Sequence, residues 1–299
     1  MGFQDDLQRQ WRSGGMVVRL ILVNAAVFLL LRVIDLPFWM MRSQGPEILP
    51  WLWSTSNMHA LLYRPWTVVT YMFTHWDLMH VFFNMLMLWF LGRIFEDLLG
   101  GKRLLGNYIL GGLSGFLLYL LGYNFLPVFQ DYADASTILG ASAAVMGVLI
   151  GIAAYRPDLE VHLLLFGAVK LKWIALALLV IDLVSVRSGS NSGGHLAHLG
   201  GALYGYLASM QLKRGSDWSL AFVNGLSAIG NVFKRNKGPR LRVEKRPAPG
   251  ATRTDASFNA AKRDKQERID AILDKISRSG YDSLSKEEKD LLFKESGAR

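Results

Sequence analysis

The chain has 299 residues, 51% of them hydrophobic, with a net charge of +9 and no cysteine, and its mean hydropathy is +0.23. The missing cysteines exclude disulfides, cysteine catalysis and thiolate metal sites. So positive a hydropathy, with the charges gathered between long apolar runs, excludes an ordinary soluble domain.

From the N-terminus, a polar segment over 1–16 leads into an apolar run, Val17–Ile34. No small-residue cleavage site closes that run, so a removable leader is not expected. A long connection from about Asp35 to His75 follows, rich in tryptophan (Trp39, Trp51, Trp53, Trp66). Tryptophan favours the bilayer interface, so this loop is expected half-immersed rather than in bulk water. A second run spans Leu78–Gly92. No charged residue lies between Arg103 and Asp131, or between Asp134 and Arg156. A fifth run, Trp173–Val186, is broken only by Asp182. Between Arg187 and Lys213 there is no Asp, Glu, Lys or Arg, and the histidines there are His195 and His198. A helix needs roughly 20 apolar residues to cross a bilayer. The expected fold is therefore all-α, a polytopic membrane helix bundle of six spans over 17–212.

Arg9, Arg12, Arg19, Arg93, Lys102, Arg103, Arg156, Lys170 and Lys172 all fall on one side of such a bundle, with the tail. The positive-inside rule then predicts that both termini are cytoplasmic. Residues 213–299 carry 20 Lys and Arg against 12 Asp and Glu, which is eight of the nine excess charges. Attraction to anionic lipid accounts for that better than nucleic-acid binding does. Within the tail, Leu220, Val223, Leu226, Ile229 and Phe233 fall at helical spacing, predicting an interfacial helix, and Lys234–Arg253 reads as a basic flexible linker, so that 213–253 forms one segment. Over 254–299, an apolar stripe (Ile269, Ile272, Leu273, Ile276) stopped by Gly280, and a Ser285/Glu288 capping box, predict a hairpin of two short helices.

Polar groups inside spans are costly and ordinarily face protein or water. His80 and Asn84 fall in the second span, Ser142 in the fourth and His198 in the sixth, all towards the outer ends of helices that run the same way. Small residues line the fourth span (Gly140, Ala143, Ala144, Gly147, Gly151) and the sixth (Ala197, Gly201, Gly205), so these two backbones can approach closely. A hydroxyl and an imidazole brought to one depth are the parts of a nucleophile and its base. Four outer-facing histidines (His75, His80, His195, His198) leave a metal transporter as a competing reading, although there is no H-E-x-x-H and no internal repeat.

The second span reads H-x-x-x-x-H-V-F-F-N from His75 to Asn84 and continues W-F-L-G-R-I-F-E to Glu96. The fourth reads G-A-S-A-A-V-M-G from Gly140, and the sixth G-G-H-L-A-H-L-G-G through Gly201. This resembles the rhomboid intramembrane serine proteases, with their H-x-x-x-N, G-x-S-G and A-H-x-x-G motifs. The resemblance implies Ser142 as nucleophile, His198 rather than His195 as general base, and His80 and Asn84 as oxyanion-stabilising groups. It further implies Met146 as a substrate-binding side chain beside the catalytic imidazole, Glu96 as a structural hydrogen-bonding residue, and a C-terminal extension like that of some bacterial members. Transmembrane protein substrates within the lipid bilayer are the implied partners, and no cofactor or metal is expected. A bacterial inner membrane is the expected location.

Ala143 departs from the motif's glycine, and its methyl could crowd the oxyanion site or the helix contact. Trp66 is followed by Thr67 where the family has Trp-Arg. No carboxylate falls at the depth of the serine in the spans that carry the motifs: Asp182, near the outer end of the fifth span, reads as structural, which leaves a Ser–His dyad. An inactive relative that binds transmembrane helices is the alternative within the family.

Overall fold

The computed structural model describes residues 11, 14–45, 47–163, 167–188, 191–233 and 255–296. The linker expected over Lys234–Arg253 and most of the N-terminal segment lie outside these residues. The chain divides into two compact units, Met1–Arg235 and Asn236–Arg299.

The first unit is built on six long helices: α1 (Gly15–Met40), α2 (Leu78–Leu99), α3 (Gly101–Phe125), α4 (Ser142–Tyr155), α5 (Leu171–Ser185) and α6 (Ser192–Lys213). A seventh, α7 (Trp218–Phe233), follows. Of these, α1, α2 and α3 are long and apolar enough to cross a membrane by length and composition. At 14 and 15 residues, α4 and α5 are shorter, and α6 has 22 residues but carries glycines and two histidines. The expected first span is longer than its apolar run, because the helix continues through Asp35 and Pro37 to Met40. Side chains such as Leu29, Leu30 and Val33 of α1, Phe82, Phe83 and Trp89 of α2, and Ile181 and Val184 of α5 stand exposed. So much exposed apolar surface suits contact with hydrocarbon rather than water. The chain is an all-α polytopic membrane bundle.

The helix boundaries have local causes. Asp77 caps α2, its side chain accepting the backbone N–H of His80 at 2.9 Å. Gly100, at φ +87°, ends α2 and opens α3, a backbone turn that a side chain would strain. α4 is the central element and is buried along nearly its whole length. It meets α6 through backbone: a Cβ on Gly201 would come 2.0 Å from the Ala143 carbonyl oxygen, and one on Gly205 2.2 Å from that of Gly147. Gly200 and Gly115 make similar contacts between α6 and α3. Such approach of small residues is how helices associate where no water is displaced.

Buried polar groups are largely paired inside the bundle, as a dry interior requires. Tyr108 Oη donates to the Met72 carbonyl at 2.9 Å, Tyr71 Oη donates to the Gly112 carbonyl at 2.6 Å, and Asn24 Nδ2 donates to Tyr108 Oη at 3.2 Å.

The tryptophan-rich connection is ordered and tied to the rest. Trp51 and Trp66 stack with centroids 6.1 Å apart, and short helical turns cover Met58–Tyr63 and Thr67–Thr70. Strand β1 (Ser54–Thr55) pairs antiparallel with β2 (Thr137–Ile138), just before α4. Ser56 Oγ donates to the Ala133 carbonyl at 2.5 Å and Asn57 Nδ2 to Asp134 Oδ1 at 2.9 Å. Between α4 and α5 a hairpin, β3 (Glu160–Leu163) with β4 (Gly167–Lys170), was not expected from the sequence. Lys170 and Lys172 both reach Asp158 beside it, and hydrogen bonding to these two ammoniums holds the Asp158 carboxyl below its usual range.

In the tail, α7 covers the predicted stripe. Val223 is buried, whereas Leu226 and Ile229 are exposed. The second unit contains α8 (Asp255–Ser279) and α9 (Lys286–Ser296). At 25 residues α8 is not the short helix expected: its apolar stripe covers only its second half, and its first half is charged. Gly280, at φ +77°, closes it as expected. The capping box forms in both directions, Ser285 N–H to Glu288 Oε2 at 2.7 Å and Glu288 N–H to Ser285 Oγ at 3.3 Å.

Candidate active site

Ser142 is the first residue of α4, following Gly140 at φ +114° and Ala141. Two bonds hold this entry turn. Gly140 N–H donates to the Tyr71 carbonyl at 2.9 Å, and Ala141 N–H donates to His75 Nε2 at 3.2 Å. Gly140 is also needed for space, since a Cβ there would lie 2.6 Å from His80 Cε1. The first N–H groups of a helix have no intrahelical acceptor, so the turn presents the Ser142 backbone N–H at a helix start, where the helix dipole favours negative charge.

His198 stands in the second turn of α6, and its Nε2 lies 2.7 Å from Ser142 Oγ. The close backbone contact at Gly201 and Gly205 sets this separation. Both residues line an open cleft of about 830 Å³, together with His80, Asn84 and Met146. All five candidate residues are thus brought to one place. Its wall is mostly apolar (Phe83, Met87, Leu149, Leu178), and Asn191 and Gly194 form another side. Asn84 is buried, and Nδ2 donates one hydrogen back to the His80 carbonyl at 2.9 Å. Its second amide hydrogen is the one available to a ligand.

The structure corrects the expectation about acids. Asp182, read as structural near the outer end of its span, places Oδ1 2.8 Å from His198 Nδ1 and 2.8 Å from His195 Nδ1. Because α5 and α6 run in opposite directions, the end of one meets the start of the other at the depth of Ser142. The three ligand atoms lie within 4.8 Å of one another, and this is a group that could hold a metal ion. The 2.8 Å separations are those of N–H···O hydrogen bonds to an ionised acceptor, which accounts for the cluster without one. Of the four histidines of the transporter reading, His75 and His80 have ring centroids 5.2 Å apart and His195 and His198 5.8 Å, and His80 and His198 line the same cleft.

Sequence reasoning had also passed over His75 as part of the site's framework. It is fully buried, and burial, reinforced by the neighbouring His80, pulls its pKa down to about 4. It is therefore neutral at ordinary pH and can accept the Ala141 N–H. Ala143, the departure from the motif, turns its methyl away from the cleft and towards α3: a Cβ on Gly115 would lie 2.7 Å from it. Absence of a side chain at Gly115 makes the room. Glu96 lies outside the site and bonds the start of α1.

A family model described as the rhomboid domain matches residues 63–215, about half of the chain. The chain belongs to the rhomboid family. Among curated relatives, this rhomboid is 26% identical to "RHOMBOID-like protein 12, mitochondrial" of Arabidopsis thaliana, over 72% of this chain and 64% of that one. It is 27% identical to "Rhomboid protein 1, mitochondrial" of Saccharomyces cerevisiae, over 56% and 49%. With "Rhomboid protease GlpG" of Photorhabdus laumondii it shares 30% identity over 40% and 44%. The chain spans about half to two thirds of the length of these relatives. Residues 252–298 match a second model, "Family of unknown function (DUF6576)".

These relatives overturn the expected location. The plant and yeast proteins are named as mitochondrial, so the expectation of a bacterial inner membrane does not stand. Charge asymmetry orients a bundle in whichever bilayer holds it and does not identify that bilayer. The assignment of the termini to a bacterial cytoplasm falls with it.

Proposed function

We propose that this rhomboid is a serine endopeptidase that cleaves transmembrane segments of other proteins, with Ser142 as nucleophile and His198 as general base. The observation that carries this is the 2.7 Å approach of His198 Nε2 to Ser142 Oγ inside an open cleft. A serine hydroxyl is a weak nucleophile at its own pKa, and a neutral imidazole at hydrogen-bond distance removes the proton as Oγ attacks the carbonyl carbon. The same imidazole then gives that proton to the leaving amine, and water repeats the sequence on the acyl-enzyme.

The tetrahedral oxygen needs donors already in place, each worth about 2.7–4 kcal/mol in well-studied proteases. The Ser142 backbone N–H, the free amide hydrogen of Asn84 and the His80 ring are the groups lining this side of the cleft. Met146 and its apolar neighbours suit the side chains of a membrane-embedded substrate. A helix hides its own carbonyls in hydrogen bonds, so the scissile segment must unwind to reach Oγ, and helix-breaking residues in a substrate should assist.

The test is cleavage of a fluorogenic single-span substrate by the purified protein in detergent. Wild type should cut, while Ser142→Ala and His198→Ala should each lose activity by at least roughly 10³-fold. Cleavage surviving Ser142→Ala refutes the nucleophile. Stable binding of the substrate helix with no cleavage by any form would favour an inactive helix-binding relative.

A further inference from the structure

His198 has a contact on each ring nitrogen: Ser142 Oγ at 2.7 Å from Nε2 and Asp182 Oδ1 at 2.8 Å from Nδ1. The same Asp182 oxygen lies 2.8 Å from His195 Nδ1. From these three distances we infer that Asp182 is a positioning residue that makes the site a Ser142–His198–Asp182 triad, with His195 as the second donor holding the carboxylate in place. The inference rests on the reading of Ser142 as nucleophile.

A neutral imidazole carries one hydrogen, and either nitrogen can hold it. An ionised carboxylate only accepts, so Asp182 puts the hydrogen of His198 on Nδ1 and leaves the lone pair on Nε2, facing the serine. As Oγ bonds to the substrate carbonyl carbon, its proton moves to Nε2, and the imidazolium then lies against the carboxylate. Asp182 stays ionised throughout, and the proton leaves from Nε2 to the departing amine, so the ring returns neutral.

The carboxylate itself must be kept charged in a largely apolar surrounding. Its side chain is only 8% exposed. An unpaired ion there would be costly, and two N–H partners offset that cost. His195, three residues before His198 on the same face of α6, supplies the second bond. The charged and titratable groups facing His198 are therefore Asp182 from α5, His195 from its own helix and His80 from α2, besides the Ser142 hydroxyl.

The experiment uses the full chain in detergent, the same fluorogenic substrate, and the variants Asp182→Asn, Asp182→Glu and His195→Ala. An amide in place of the carboxylate offers Nδ1 a donor and favours the wrong tautomer. Asp182→Asn should lower kcat by roughly 10²–10⁴-fold with KM little changed, and labelling of Ser142 by a fluorophosphonate should slow in parallel. Asp182→Glu should restore part of kcat, which a purely structural role would not give, and His195→Ala should lower kcat by less than Asp182→Asn. Wild-type kcat in Asp182→Asn, while Ser142→Ala is inactive, overturns the triad and leaves the protease reading standing. Cleavage by Ser142→Ala removes both. Should Asp182→Asn fail to fold, ¹⁵N NMR of labelled histidine in the wild-type protein decides. A protonated Nδ1 and bare Nε2 on His198 support the assignment, and the opposite tautomer overturns it.

Discussion

Glu96 Oε1 accepts the backbone N–H of Met16 at 2.7 Å across 80 residues of sequence. Oε2 takes the next N–H, that of Val17, at 3.1 Å. One carboxylate at the end of α2 thus satisfies two of the orphan donors that open α1, in the role a capping side chain usually fills locally. Hydrogen bonds to a charged partner contribute about 1.5–3 kcal/mol each. Glu96→Ala should lower the unfolding temperature in detergent clearly, and Glu96→Gln by less. Equal melting of all three forms would remove this role.

The contact between α4 and α6 predicts an asymmetric pair of outcomes. A methyl on Gly201 would fall 2.0 Å from the Ala143 carbonyl oxygen, a backbone atom that cannot swing aside. Gly201→Ala should cost at least about 1–3 kcal/mol and abolish cleavage, because separating the helices draws His198 from Ser142. Ala143→Gly removes a methyl that faces Gly115 and not the cleft. It should keep the substrate affinity and rate of the parent within a small factor, at about 1 kcal/mol of stability. Cleavage and thermal unfolding measured on both variants check the pair.

His75 gives stability a pH dependence of known sign. Folded, its pKa is about 4, against 6.5 for an unperturbed histidine. Between these values the unfolded chain binds a proton that the folded chain excludes. Stability from this residue is therefore complete above about pH 6.5 and falls as pH drops towards 4. The slope of melting temperature against pH in that window should flatten in His75→Gln, whose amide oxygen can still accept from Ala141. An unchanged slope would count against the assignment.

Asp217 secures the start of α7 twice: Oδ1 accepts the Leu220 N–H at 2.9 Å and Oδ2 pairs with Arg103 at 2.5 Å. Asp217→Ala should weaken that attachment by about 1–2 kcal/mol and open the segment before Trp218 to limited proteolysis. Arg103→Gln, which keeps the cap, should open it less.

Much of the site was legible because the chemistry is written in residues that lipid disfavours. His80, Asn84, Ser142 and His198 stand out in apolar runs at equivalent depth, and the glycines between them announce which helices touch. Asp182 was visible as the lone acid of its run. Its place near the outer end of the run was legible too, but the sequence does not show that its side chain turns to His198 of the next helix. The strand pairs β1–β2 and β3–β4 were not legible: strands of two and four residues leave too little alternation to read. The length of α8 was underread because its first half has no apolar face and is held partly by exposed pairs such as Arg268–Asp264 at 3.0 Å.

The two-rung ladder between Ser54–Thr55 and Thr137–Ile138 fastens the tryptophan-bearing connection to the strand that enters α4. A displacement of that connection, which carries the stacked Trp51 and Trp66, has only four residues of backbone to cross before it reaches the Ser142 hydroxyl. Ser142 is thereby tied to the tryptophan-bearing connection as well as to its own helix.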